Sequence, residues 1–320
     1  MKKTYIKYIA ALIIFGSNGA VASMADTESY ETVFIRTLIG SLFLAAVLFI
    51  SSLSKSLKYS ETDMGNGNNK NILPCGKLRF FVLKIHAALR KEQKAVLYTS
   101  LSGAAMGMSW ILLFEAYDII GVGVSSVLYY CGPVIVMALS PLIFGERLFL
   151  KKVFGFAAVI AGAFSVNFGL GETLGAWAVF CGLASAFMYA VMVIFNKKAG
   201  SDLGMAGQVI QLFSAFLTVF IFLAIKGGLI FEITKGSFIH LAILGIFNTG
   251  IGCLLYFSSI SRLPVQTVAI CGYLEPLSAL LFSVLLLGES ISHFQFLGAV
   301  LVLGGAFYAE FSKNREPVRQ

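Results

Sequence analysis

The amino-acid sequence predicts an all-α integral membrane protein of ten transmembrane helices, arranged as two inverted five-helix repeats. Three observations carry that prediction. Hydrophobic residues make up 58% of the chain and charged residues only 12%, about half the charge of a soluble domain. Mean hydropathy is +0.86. Residues 124–167 recur at 267–310 with no gap and a constant offset of 143, the separation of Pro133 and Pro276. Lysine and arginine gather in alternate loops, as cytoplasmic loops require.

From the N-terminus, Lys2, Lys3 and Lys7 precede an apolar run over 8–25. Alone it resembles a secretory signal, with Ala22-Ser23-Met24-Ala25 as a weak cleavage site. Gly16-Ser17-Asn18-Gly19 interrupts the run where a signal core is uniformly apolar, so it is read as span 1. Spans 2 to 10 are assigned to 32–53, 95–115, 120–144, 152–168, 174–196, 205–225, 238–258, 265–287 and 293–311. Each is close to the roughly 17–25 residues a helix needs to cross the hydrocarbon core. The first repeat is expected over 1–169 and the second over 170–320, with a long basic loop at 54–94 inside the first.

Charge placement supports this count. With the N-terminus inside, the cytoplasmic segments hold Lys2, Lys3, Lys7, the basic loop, Arg147, Lys151, Lys152, Lys197, Lys198, Arg262, Lys313, Arg315 and Arg319. The outer loops hold Lys226 and Lys235. Both termini are therefore expected in the cytoplasm. Arg36, near the outer end of span 2, is read as snorkelling to the outer headgroups, with reception of a substrate carboxylate as the alternative. Five helices per repeat put Glu146 at the cytoplasmic face and its mate Glu289 at the outer face, so the halves are inverted about an axis in the membrane plane.

The loop between spans 2 and 3 has two characters. Residues 54–71 are rich in Lys, Ser, Asn and Gly and read as flexible. In 77–93, Leu78, Phe81, Val82, Ile85 and Leu89 recur at helical spacing among basic residues. A basic amphipathic helix on anionic lipid and a cytosolic extension of span 3 both fit.

A net charge of +8 fits cytoplasmic loops better than a nucleic-acid partner. Four of the five cysteines lie in apolar spans, and neither they nor His86, His240 and His293 show metal-ligand spacing. No glycine-rich phosphate loop follows a strand. No cofactor, metal, nucleic acid or enzymatic activity is expected.

Each repeat closes with a proline, a Gly-Glu turn and a glycine-bearing final helix. The segments "GPVIVMALSPLIFGE" at 132–146 and "EPLSALLFSVLLLGE" at 275–289, with Phe15-Gly16-Ser17-Asn18 in span 1, resemble the EamA-type branch of the drug/metabolite transporter superfamily. The resemblance covers nearly the whole chain apart from the loop between spans 2 and 3. Two departures are the phenylalanine at 15, where the family more often has tryptophan, and that long basic loop. It implies a secondary carrier of small organic metabolites, frequently an exporter of amino acids or related compounds, and leaves the substrate open.

Glu275 is the sharpest single residue. It lies about ten residues into span 9, roughly 15 Å deep, where a carboxylate must face a cavity or a partner. Thr267, Cys271, Glu275 and Ser278 share one helical face. Glu275 reads as a substrate-ammonium contact or a proton-coupling site, or alternatively as a structural carboxylate pinning a kinked helix. Its repeat mate is Gly132. Pro133 and Pro276 free the carbonyls of Tyr129 and Gly272; they read as gating bends or as fixed kinks. Asn18, Trp110, Tyr129, Tyr130, Tyr189, Asn248, Tyr256 and Tyr273 fall at mid-depth and would give an aromatic wall with a few polar groups. Taken singly, each also reads as packing. The substrate-binding set is thus Glu275, Tyr273, Tyr130, Trp110, Asn18, Tyr189, Asn248 and Tyr256. Gly155, Gly162, Gly298 and Gly305 read as a small-residue scaffold, and Glu146 and Glu289 as residues that fix turns.

The function expected is secondary transport of small amino-acid-like or amphipathic compounds, outward, by alternating access around a central cavity. A non-transporting receptor or scaffold and a lipid flippase on the same fold are the alternatives. The expected partners are a small organic substrate and the lipid bilayer, with protons as a candidate coupling ion and a homodimer as a candidate assembly. The expected location is the bacterial inner (cytoplasmic) membrane.

Overall fold

The computed structural model describes residues 2–25, 27–63, 92–146, 150–166, 176–201, 203–227, 235–288 and 293–311. Glu289 and all but the last two residues of the basic segment 77–93 lie outside the described residues. Among the described residues regular structure is helical throughout. Span 1 is α1 (Lys2–Gly16) and α2 (Asn18–Ser23), and span 2 is α3 (Ser29–Asp63). Spans 3 and 4 are α4 (Gln93–Tyr129) and α5 (Cys131–Phe144), and span 5 is α6 (Leu150–Val166). Spans 6 and 7 are α7 (Ala176–Ala199) and α8 (Gly204–Lys226). Span 8 is α9 (Lys235–Ile243), a π-helical segment (Leu244–Ile251) and α10 (Gly252–Ile260). Span 9 is α11 (Val265–Gly272) and α12 (Leu274–Leu287), and span 10 is α13 (His293–Phe311).

Seven helical stretches are long and apolar enough to cross a membrane, and Cys131–Phe144 and Val153–Gly162 form shorter apolar helices. The bundle turns apolar side chains outward: Leu142 and Ile225 are each 82% exposed. Such a surface suits lipid and not water. Inside, small hydroxyls satisfy one another. Ser109 Oγ donates to Ser185 O at 2.9 Å and Ser185 Oγ returns the bond to Ser109 O at 2.8 Å, tying span 3 to span 6.

The junction of spans 3 and 4 corrects an expectation. The sequence suggests a break over 116–119, yet the backbone stays helical from Gln93 to Tyr129. The chain nevertheless reverses. Ser102 bonds to Met192 and Ser109 to Ser185, so α4 first runs antiparallel to α7. Leu128 then lies against Gly182 and Gly132 against Tyr189, so the same chain returns parallel to it. A straight helix from 109 to 132 would instead run roughly 34 Å onward at 1.5 Å per residue.

The inverted repeat is visible in which helices touch. Span 1 packs on spans 8 and 9, and its counterpart span 6 packs on spans 3 and 4. Span 2 meets span 8, and its counterpart span 7 meets span 3. Spans 2 and 7, 4 and 9, and 5 and 10 each meet their own counterpart. The last pair fixes the axis. A Cβ on Gly162 would strike Gly298 O at 2.6 Å, and one on Gly305 would strike Gly155 O, also at 2.6 Å. Offset by 143, these are the same contact. Gly155 and Gly162 run against Gly305 and Gly298, so α6 and α13 are antiparallel and the two-fold lies across them.

Candidate functional site

The crossing point of spans 4 and 9 is built from equivalent residues. Pro133 and Pro276 lack an N–H, so Tyr129 and Gly272 lose their helical partners. The sequence places bends at the prolines; the helices actually part three residues earlier, at Tyr130 (φ −69°, ψ −2°) and Tyr273 (φ −71°, ψ −4°). The break falls there because the freed carbonyls lie upstream of each proline. The Tyr273 hydroxyl donates to Tyr130 O at 2.6 Å, and the two rings lie 6.4 Å apart.

Around this crossing the tyrosines fill mid-depth. Tyr189 and Tyr256 share a hydroxyl–hydroxyl bond of 3.1 Å. Tyr129 meets Tyr189 edge-on at 5.5 Å, and Tyr256 lies 5.5 Å from both Tyr8 and Phe15. Tyr8 is wholly buried and donates to Val268 O at 2.8 Å. The residue pattern of span 1 does not single it out, because a tyrosine two turns from a basic terminus reads as an interface anchor. Where the first repeat has Tyr129, the second has Gly272, and the hydroxyls of Tyr8 and Tyr189 converge on the space left, 3.7 and 3.8 Å from the position of an added Cβ. At Gly132, a Cβ would meet the Tyr189 ring at 2.7 Å. The position matching Glu275 therefore has no room for a second acid.

Glu275 opens α12 and keeps partial exposure. Ser278 Oγ shares its proton between Glu275 O at 2.8 Å and Leu12 O of span 1 at 3.2 Å, and Gly16 permits the close approach of the two helices. Glu275 lies within electrostatic reach of Tyr129, Tyr130 and Arg36.

Arg36 is the principal correction. It does not snorkel: it is 5% exposed, its guanidinium lies 4.5 Å over the Trp110 ring, and Nε donates to Thr249 Oγ1 at 3.2 Å. The reason is the π-helical segment of span 8. Wider turns of this kind mark functional positions, and this one carries Thr249 toward span 2, where Gly40 makes room against Thr249 and Gly245. Once stacked on an indole and hydrogen-bonded, the guanidinium tolerates the interior. Among the described residues no ion pair joins Arg36 to Glu275.

The same π segment presents Asn248. Its Nδ2 donates to Ile14 O at 2.9 Å and to Ser17 Oγ at 2.7 Å, the point where span 1 parts between α1 and α2. Asn248 Oδ1 and Asn18 Oδ1 are buried with no hydrogen-bond partner among the described residues. Of the sequence-selected set, the structure joins Tyr189 to Tyr256, Tyr130 to Tyr273, and Trp110 to Arg36. Asn18 and Asn248 gather at the break in span 1. Among the described residues no three His, Cys, Asp or Glu side chains cluster.

A cavity of about 300 Å³ lies elsewhere, at the end of the bundle bearing Lys7 and Arg262, and none of the selected residues lines it. A central chamber lined by those residues was the expectation. At mid-depth the tyrosines pack on one another, Tyr129 on Tyr189 and Tyr130 on Tyr273.

Ten spans in two inverted halves, with an acid at the crossing and a buried arginine held by Trp110 and Thr249, define a multi-pass membrane protein of the carrier type. The chain belongs to the EamA-like transporter family, which it matches twice, over residues 2–168 and 176–310. It is similar to an uncharacterized transporter, YxxF, of Bacillus subtilis (strain 168), at 24% identity over 94% of this chain and 87% of that one. It is also similar to proteins named "Probable amino-acid metabolite efflux pump". The one from Salmonella typhimurium is 26% identical, covering 73% of this chain and 84% of that one. The one from Escherichia coli (strain K12) is 28% identical, covering 59% and 67%. A solved structure, described as "Crystal structure of protein", superposes with a TM-score of 0.71 at 15% identity, over 97% of this chain and 99% of its own. That likeness concerns the fold.

Proposed function

We propose that this transporter exports a small amino-acid-like zwitterion, by alternating access of its two five-helix halves, 1–169 and 170–320. The observation that carries the reading is the pair of interior charges Arg36 and Glu275, one from each half and not joined to each other. An interior charge with no direct ion-pair partner is costly. A ligand carboxylate at Arg36 and a ligand ammonium at Glu275 would neutralise both, and Trp110 and the tyrosines supply apolar and cation–π walls. Because the ligand would bridge the halves, binding is coupled to their relative position. The two relatives named as amino-acid metabolite efflux pumps support this substrate class. Glu275 serves in addition as the site of proton exchange. The setting is the bacterial inner membrane with both termini cytoplasmic.

The test is counterflow in proteoliposomes without ATP, across a panel of amino acids, nucleosides and organic cations. Saturable counterflow of a zwitterion, lost in Arg36→Leu, supports the proposal. Saturable binding with no flux would instead assign a receptor, and counterflow confined to cations would remove Arg36 from the site.

A further inference from the structure

The cavity at the Lys7 and Arg262 end is a built polar site that the central pair does not explain. Its floor is formed by α7 and α8, which the tight turn at Gly200 (φ 70°) and Gly204 (φ 52°) brings together. Among the side chains more than nine-tenths buried that line it are Asn196 at 6% and Gln208 at 8% exposure. Asn196 Oδ1 and Gln208 Oε1 have no hydrogen-bond partner among the described residues. A buried acceptor left without a donor costs about 1–3 kcal/mol, and the two side chains that carry these acceptors both line this cavity.

The orientation of Asn196 is fixed by a relay. Ser102 Oγ spends its proton on Met192 O at 2.7 Å, so it accepts from Gln211 Nε2 at 2.8 Å. Gln211 must then present Oε1 to Asn196, which donates through Nδ2. Asn196 Oδ1 is left as the free end, and a flipped amide would set two carbonyl oxygens against each other. The rim has the opposite character: Lys7 and Arg262 are both exposed there.

We infer that this cavity is a second recognition site, one that takes a zwitterion with its ammonium on the Asn196 and Gln208 oxygens and its anionic group between Lys7 and Arg262. Neutral amide oxygens hold an ammonium without binding bare cations strongly, and the cationic rim repels any ligand lacking the anion. About 300 Å³ is at the small end of ligand pockets, which suits an amino-acid-sized molecule. The inference rests on the proposed transport only in calling the site the first stop on the cytoplasmic side. A free amino acid and a phosphatidylethanolamine headgroup share this chemistry.

The experiment uses the full chain carrying Arg36→Leu and Glu275→Gln, which disables the central pair, in phosphatidylcholine nanodiscs. The probes are glycine, alanine, leucine and phenylalanine, each with its methyl ester and its N-acetyl derivative, read by thermal-shift titration. The expected result is binding of at least one free zwitterion, at least tenfold tighter than its ester or acetyl form. Adding Gln208→Leu should weaken it at least tenfold, and Gln208→Glu should raise the affinity of the ester. A stabilisation produced only by phosphatidylethanolamine in the disc, and abolished by Gln208→Leu, assigns the headgroup as the source. Absence of Gln208-dependent binding from both sources overturns the inference. Intact binding here with no counterflow by the wild type would refute the transport proposal alone.

Discussion

The Tyr273 hydroxyl and the Tyr130 carbonyl meet at 2.6 Å across the axis that exchanges the two residues. The bond is one-sided: Tyr273 contributes its side chain, and Tyr130 contributes its main chain. Tyr273→Phe should therefore cost about 0.5–1.5 kcal/mol, the net value of one such bond, whereas Tyr130→Phe should leave this bond in place. Unfolding midpoints of the two variants in detergent check this. Equal losses would mean that the bond does not hold the crossing.

The glycine seam between α6 and α13 makes a paired prediction. Gly162→Ala and Gly305→Ala each drive a methyl into main-chain oxygen, and each should destabilise by about 1–3 kcal/mol, as overpacking does. Gly304→Ala, where an added Cβ meets nothing within 4 Å, should be neutral or slightly stabilising. Denaturation curves for the three variants separate the outcomes. A neutral Gly162→Ala would exclude close contact along this seam.

Glu146 reaches across the chain. Its carboxylate accepts from the main-chain N–H of Val265 at 2.9 Å and of Gln266 at 3.2 Å, capping α11. Removing a helix cap costs about 0.5–2 kcal/mol, so Glu146→Ala should lose that much. Glu146→Gln, which keeps one acceptor, should lose less. Thermal unfolding measures both.

Flux gives the fourth prediction. Arg36→Lys keeps the charge but not the flat stacking on Trp110 or the Nε bond to Thr249, so counterflow should fall at least tenfold. Glu275→Gln removes both the proton site and the charge facing the ligand ammonium, so it should abolish pH-driven flux and also weaken exchange. Unchanged pH dependence in that variant would remove Glu275 from proton coupling.

Much of the fold is legible in the chain because the repeat is gapless and each half closes with the same Gly-Glu turn. The site is less so. The prolines at 133 and 276 announce bends but not that the tyrosines three residues earlier absorb them. The π-helical turns at 244–251 leave no mark, since Leu-Gly-Ile-Phe-Asn-Thr-Gly-Ile has an ordinary apolar pattern and the wider turn is imposed by neighbours. Arg36 reads as a snorkelling residue for the same reason. Its partners, Trp110 and Thr249, come from two other spans, and only the assembled bundle brings them together. Asn196 and Gln208 look like polar residues near a loop until their burial is known.

The seam of α6 and α13 uses one spacing of glycines on both of its sides. A gene encoding a single half would therefore already carry both surfaces of the joint. Two copies of such a product, inserted in opposite senses, could close on each other through contacts this chain makes with itself. Cutting the coding sequence between the halves and asking whether the fragments reassociate would expose that latent dimer.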